Sequence, residues 1–104
     1  MNRDKNLPVT ETTYYVLLAL LEPAHGYLIM QKVEELSDQQ VKIAAGTLYG
    51  AIENLLKQKL IQSVRSEDKR RKVYVITKKG REVLLLDLER MQKMIRITGA
   101  QLNL

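Results

Sequence analysis

Leu60-Ile61-Gln62-Ser63-Val64-Arg65, then Ser66-Glu67-Asp68-Lys69-Arg70-Arg71, then Lys72-Val73-Tyr74-Val75-Ile76-Thr77: residues 60–77 change character twice. The first block reads as a strand. The last is β-branched and aromatic, which suits a pleated, half-buried surface, and reads as a second strand. Between them lies a charged turn. The whole is a long hairpin with its basic groups at the tip. On both sides of it the apolar period is helical.

Upstream, residues 1–9 form a polar, flexible tail. Thr10 stands where its hydroxyl can cap a helix, with Glu11 in the first turn. Tyr14, Leu17, Leu18 and Leu21 follow at helical spacing, which predicts a helix over 11–21. Glu22-Pro23 ends it, because the residue before a proline is pushed out of the helical region. Ala24-His25-Gly26 reads as a connector. Ile29, Val33 and Leu36 predict a second helix over 27–36, and Ser37-Asp38-Gln39-Gln40 a polar turn. Val41-Lys42-Ile43 alternates as a short extended piece would. A third helix runs from Ala45 or Gly46 to Gln58. Leu48, Ile52, Leu55 and Leu56 are its inward stripe, with Thr47, Gly50, Asn54 and Lys57 on the opposite side. Downstream, Thr77 caps a last helix from Lys78 to about Leu102.

Helix, helix, helix, hairpin, long helix is the plan of a winged helix-turn-helix: mainly α, with a small β wing. The domain organisation is a tail (1–9), a winged helix-turn-helix domain (10–77) and a C-terminal dimerisation helix (78–104). In this plan the third helix enters the DNA major groove by its N-terminal end and the hairpin lies on phosphates or in the minor groove. Charge agrees. The 104 residues carry a net +5. Residues 65–81 alone hold eight basic and two acidic groups, net +6, and the rest of the chain is −1. Such concentration is the electrostatic footprint of a nucleic-acid contact.

The sequence excludes much else. With no cysteine and one histidine, thiolate chemistry, disulfides and an imidazole-rich metal site are ruled out. Serines 37, 63 and 66 have no base near them, and no phosphate-binding loop or dinucleotide fingerprint occurs. No enzyme, metal or cofactor is expected. No apolar run reaches the ~18 residues needed to span a bilayer, and the N-terminus lacks the apolar run of a signal peptide. A cytoplasmic protein with no membrane association is expected.

Gly-Thr-Leu-Tyr at 46–49 resembles the recognition-helix signature of the PadR-like transcriptional regulators. So does the downstream pattern of Glu53, Leu55, Leu60-Ile61, the basic Lys69-Arg70-Arg71-Lys72, Tyr74, Ile76-Thr77 and Gly80, and His25-Gly26-Tyr27 upstream. The resemblance is continuous over about residues 12–81. The single C-terminal helix matches the family's small subfamily. Gly50 departs from the pattern where proline is common, and Lys59 where a helix-ending glycine is common. Lys59 must then take a left-handed backbone conformation, or the helix ends differently. The resemblance implies a dimeric bacterial repressor whose C-terminal helix pairs with that of its partner. Some relatives bind phenolic acids or flat cationic drugs at that interface and release DNA.

The candidate DNA contacts follow from both readings. Asn54 suits adenine, and Thr47 a base edge or phosphate. Gly50 lets the backbone approach DNA closely. The resemblance sends the Tyr49 hydroxyl to a phosphate. Lys69, Arg70, Arg71 and Lys72 are the phosphate candidates of the wing, and Lys42 a further one ahead of the third helix. His25 is assigned a hydrogen bond at the start of the second helix. On the last helix, Leu84, Leu88, Met91 and Ile95 continue through Thr98 to Leu102 in steps of four and three, a heptad seam for dimerisation. If the seam holds an effector pocket for a small aromatic compound, Met91 and Tyr14 or Tyr15 line it. The alternative is a packed seam with no ligand site. A two-fold dimer implies an inverted-repeat operator with half-sites about 34 Å apart or a multiple of that. The competing function is a winged-helix module that has lost DNA binding and docks an acidic protein.

Overall fold

The computed structural model describes residues 5–68 and 70–104. In order, the elements are α1 (Glu11–Ala19), β1 (Ala24–His25), α2 (Gly26–Leu36), α3 (Ala45–Lys57), β2 (Ile61–Val64), β3 (Val73–Ile76) and α4 (Lys78–Leu102). The winged helix-turn-helix plan holds, with one strand more than expected. Ala24-His25 is no mere connector: it pairs antiparallel with β3, Ala24 opposite Tyr74 and His25 opposite Val73. The sheet order is therefore β1-β3-β2. The extended piece expected at 41–43 forms no strand. Its alternation instead buries Val41 and Ile43 and leaves Lys42 exposed.

Side chains cap three of the helices. The Thr13 N–H donates to Thr10 Oγ1 (3.2 Å). The Leu28 N–H donates to His25 Nδ1 (3.3 Å), and the Gly80 N–H to Thr77 Oγ1 (3.1 Å). Each satisfies one of the donors that a helix N-terminus leaves without an internal partner. Helix α1 is two residues shorter than its pattern suggested. Val16 and Leu17 in the helix and Leu20 at its C-cap are fully buried, while Leu21 is exposed. These pack with Ile29, Val33, Leu48, Ile52, Leu55, Ile61, Tyr74, Ile76 and Val83 in one core. Leu7 and Val9, ahead of α1, pack against it.

Lys59 does take the left-handed conformation, with φ of 62°. The Lys59 N–H donates to the Leu56 carbonyl and the Leu60 N–H to the Leu55 carbonyl, both at 3.0 Å. This is a Schellman closure, sealed by the contact of buried Leu55 and Leu60. It fixes where α4 can start. Thr77 Oγ1 donates to the Lys59 carbonyl (2.7 Å), and Gly80 lies so close to the Leu60 carbonyl that a Cβ there would stand 2.2 Å from the oxygen. Helix α4 is thus clamped to the end of α3 at its first turn. It then runs well past the body, and the molecule measures 55 × 31 × 21 Å.

Candidate nucleic-acid interface

Helix α3 lays Leu48, Ile52 and Leu55 into the core. At 3.6 residues per turn this turns Gly46, Gly50 and Lys57 outward. Tyr49 and Glu53 lie on the flank facing the wing, Thr47 and Asn54 on the other. Thr47, Tyr49, Gly50 and Asn54 are all exposed, as is Lys42 before the helix. Asn54 is turned away from the wing: its Oδ1 accepts from Gln58 Nε2 (3.2 Å), and it borders a hollow lined by Asn6, Pro8 and Thr13. Lys79 Nζ donates to the Gln58 carbonyl (3.0 Å), so one basic residue closes the end of α3.

The wing turn is organised by Asp68. Its Oδ1 accepts the Arg70 N–H (2.9 Å), and its carbonyl accepts the Arg71 N–H (3.0 Å). The Asp68 carboxylate also lies 3.9 Å from Nε of both Arg70 and Arg71. All three side chains are well exposed, so solvent screens these pairs and leaves the guanidiniums available. Lys69 lies outside the described residues.

Between α3 and the wing is an open groove of about 1100 Å³. Tyr49, Gly50 and Glu53 form one wall, and Arg70, Arg71 and Lys72 the other. The structure therefore brings together two sets of residues well separated in the chain. His25 and Gly26 form the end of the groove, a placement the sequence could not give because it depends on the β1–β3 pairing. Gly26 has no side chain to obstruct Tyr49: a Cβ there would stand 3.2 Å from Tyr49 Oη.

The expected seam on α4 divides. Leu84 is buried in its own chain's core at 6% exposure. Leu88 and Ile95 are exposed, at 39% and 70%, and Met91 is half-buried. Tyr14, Tyr15 and Met91 do come together, around a hollow of about 400 Å³ also lined by Val9, Leu18 and Asp87. Asp87 is the residue that sequence reasoning missed, because an acidic side chain on a helix is solvated by default. Here it is 1% exposed. Its Oδ1 accepts from Arg90 Nε (2.6 Å), and its buried Oδ2 has no hydrogen-bond partner among the described residues. Burial, with the charge of Asp87 added, raises the Tyr14 pKa above that of an ordinary phenol, so this tyrosine stays protonated. No helix among the described residues is long and apolar enough to cross a membrane.

Comparison with known proteins agrees with this geometry. A transcriptional regulator from Clostridium thermocellum superposes with a TM-score of 0.74 at 23% identity, over 95% of this chain and 97% of that one. A PadR family transcriptional regulator from Eggerthella lenta gives 0.70 at 30% identity, over 86% and 80%. Bordetella bronchiseptica BpsR, whose DNA binding is regulated by 6-hydroxynicotinic acid, gives 0.67 at 18% identity, over 91% and 64%. No curated protein matches. The model of the transcriptional regulator PadR-like family matches residues 16–85, more than half the sequence. From the recognition-helix motif to the clamped glycine of α4, the chain belongs to the PadR-like family of transcriptional regulators.

Proposed function

We propose that the chain is a homodimeric, sequence-specific DNA-binding repressor. The observation that carries this reading is the groove between α3 and the wing. It sets Arg70, Arg71 and Lys72 beside a helix that has only Lys57 against Glu53. Specificity and electrostatic affinity are then divided: α3 meets base edges, and the wing meets phosphates. Changing Arg70 and Arg71 to Ala should weaken binding to every duplex and flatten its salt dependence. For each phosphate no longer neutralised, the slope changes by roughly 0.9. Fluorescence anisotropy at several salt concentrations, with a duplex from the promoter of the chain's own operon, measures both. Unaltered affinity would remove the wing from the mechanism. Asn54→Ala should relax one or two base positions in a binding-site selection. Reporter output from the same promoter should rise when the gene is deleted if the chain represses.

The dimer rests on Leu88, Met91 and Ile95, with Leu102 beyond them at 62% exposure. Pairing with a second copy covers this stripe and suits a palindromic operator. An effector fits the hollow of Tyr14, Tyr15 and Met91. Its chemistry would be flat and aromatic, with an N–H donor or positive charge for Asp87 Oδ2. Calorimetry with such compounds tests this, and an absence of binding favours a packed seam without a ligand.

A further inference from the structure

The two ring nitrogens of His25 have neighbours that cannot both be hydrogen-bonded to it. Nδ1 accepts the Leu28 N–H at 3.3 Å. Nε2 lies 3.3 Å from Arg71 Nη1. A neutral imidazole accepts at one nitrogen only, and a guanidinium only donates. The Leu28 N–H is part-buried and belongs to the backbone, whereas the Arg71 approach is exposed. Leaving the backbone donor unmet costs more than leaving Arg71 to water. The cap therefore sets the tautomer, and Nε2 carries the proton. Two donors, Nε2–H and Arg71 Nη1–H, then face each other across the end of the groove, 3.3 Å apart.

The meeting is held by the backbone rather than by a stray side chain. His25 pairs with Val73 in the sheet, two residues from Arg71. Tyr49 places its hydroxyl nearby, over Gly26. The charged groups around the point are Arg70 and Lys72 on the wing, Glu53 on α3, and Asp68, which stays 3.9 Å from Arg71 Nε.

We propose that His25 Nε2–H and the Arg71 guanidinium form one seat for a single DNA backbone phosphate, with the Tyr49 hydroxyl as a third donor. An oxyanion between the two donors turns an opposed pair into two charge-assisted hydrogen bonds. The start of α2 and the wing then grip the same phosphate, which fixes how deeply α3 sits. This rests on the DNA-binding reading.

The test uses the 104-residue chain and the duplex that it selects from a random library, with each phosphate replaced in turn by a neutral methylphosphonate. His25→Asn keeps a capping acceptor but is too short to reach the groove. It should unfold at the parent's midpoint and bind about tenfold more weakly, the loss of one hydrogen bond to a charged group. Its salt slope should be unchanged, because no cation is removed. Arg71→Gln should weaken binding and reduce the slope by roughly 0.9. One and the same methylphosphonate position should weaken the parent most and each variant less, because each variant keeps only part of the seat, and the two substitutions should combine less than additively. Parent-like affinity of His25→Asn, or different sensitive phosphates for the two variants, would overturn the seat while leaving DNA binding intact. A parent chain that selects no sequence and binds no duplex at low salt would instead overturn the DNA-binding reading.

Discussion

The two halves of α4 carry the same kind of stripe and meet different fates. In the first half Gly80, Val83, Leu84 and Asp87 are all buried against the body. From Leu88 onward, Leu88, Ile95 and Leu102 continue that line and stay exposed. Helical period alone gives both halves one reading. What separates them is reach: 25 residues extend about 37 Å, and a body this small covers only the first turns. The lesson is that an apolar stripe specifies a contact but not whose surface makes it.

The largest way to break this comparison is Gly80→Ala. The new Cβ would meet the Leu60 carbonyl at 2.2 Å and Ile76 Cγ1 at 2.6 Å. Neither can yield without lifting α4 off the body. A loss of about 3 kcal/mol or more is expected in urea unfolding, and a parent-like midpoint would mean the clamp is soft. Leu84→Ala should cost about 3 kcal/mol through the cavity left in the core, at every protein concentration. Ile95→Ala should instead lower the midpoint only at concentrations where two chains associate. Equal, concentration-independent losses would erase the distinction between the halves.

Leu88→Lys combined with Ile95→Lys should remove about 2 kcal/mol or more of association. Sedimentation should then report monomers whose fold is intact. A surviving dimer would refute the seam. The smallest effect is at the foot of the docked half. Lys59→Gly relieves a left-handed backbone that costs a side chain roughly 1 kcal/mol, offset in part by the freer unfolded glycine. A gain of about 0.5 kcal/mol in thermal unfolding is expected, and a loss would show that the lysine side chain contributes there.

Local chemistry was the most legible part of the sequence. Thr10 and Thr77 as caps and the hairpin at 60–77 follow from hydroxyls and β-branching, whereas the left-handed Lys59 is one of two alternatives that the resemblance to a family with glycine there leaves open. Contacts that join distant segments were not legible. The strand β1 is two residues long, and only Val73 and Tyr74, far along the chain, make it a strand. That pairing takes His25 from a simple cap to the groove. Leu84 shares a period with Ile95, so no spacing rule could assign it to the core. Asp87 gave no warning, because its burial comes from α1 packing across α4. Tyr49, Arg70, Arg71 and Lys72 line one groove, and charge and motif mark them in the sequence without reference to partners. Asn54 was found as exposed, but its turn away from the wing needed coordinates.

Between β3 and α4 there is one residue, Thr77, and its hydroxyl is engaged on both sides. The joint consequently has no slack. Whatever the far half of α4 holds is geared directly to the helix facing the groove, as the two arms of a caliper are geared through the pivot. One amino acid inserted beside Thr77 would rotate α4 by about 100° and misalign the arms while leaving both jaws folded. In the proposed dimer, the separation of two DNA half-sites would then be set by an angle at a threonine rather than by any residue that touches DNA.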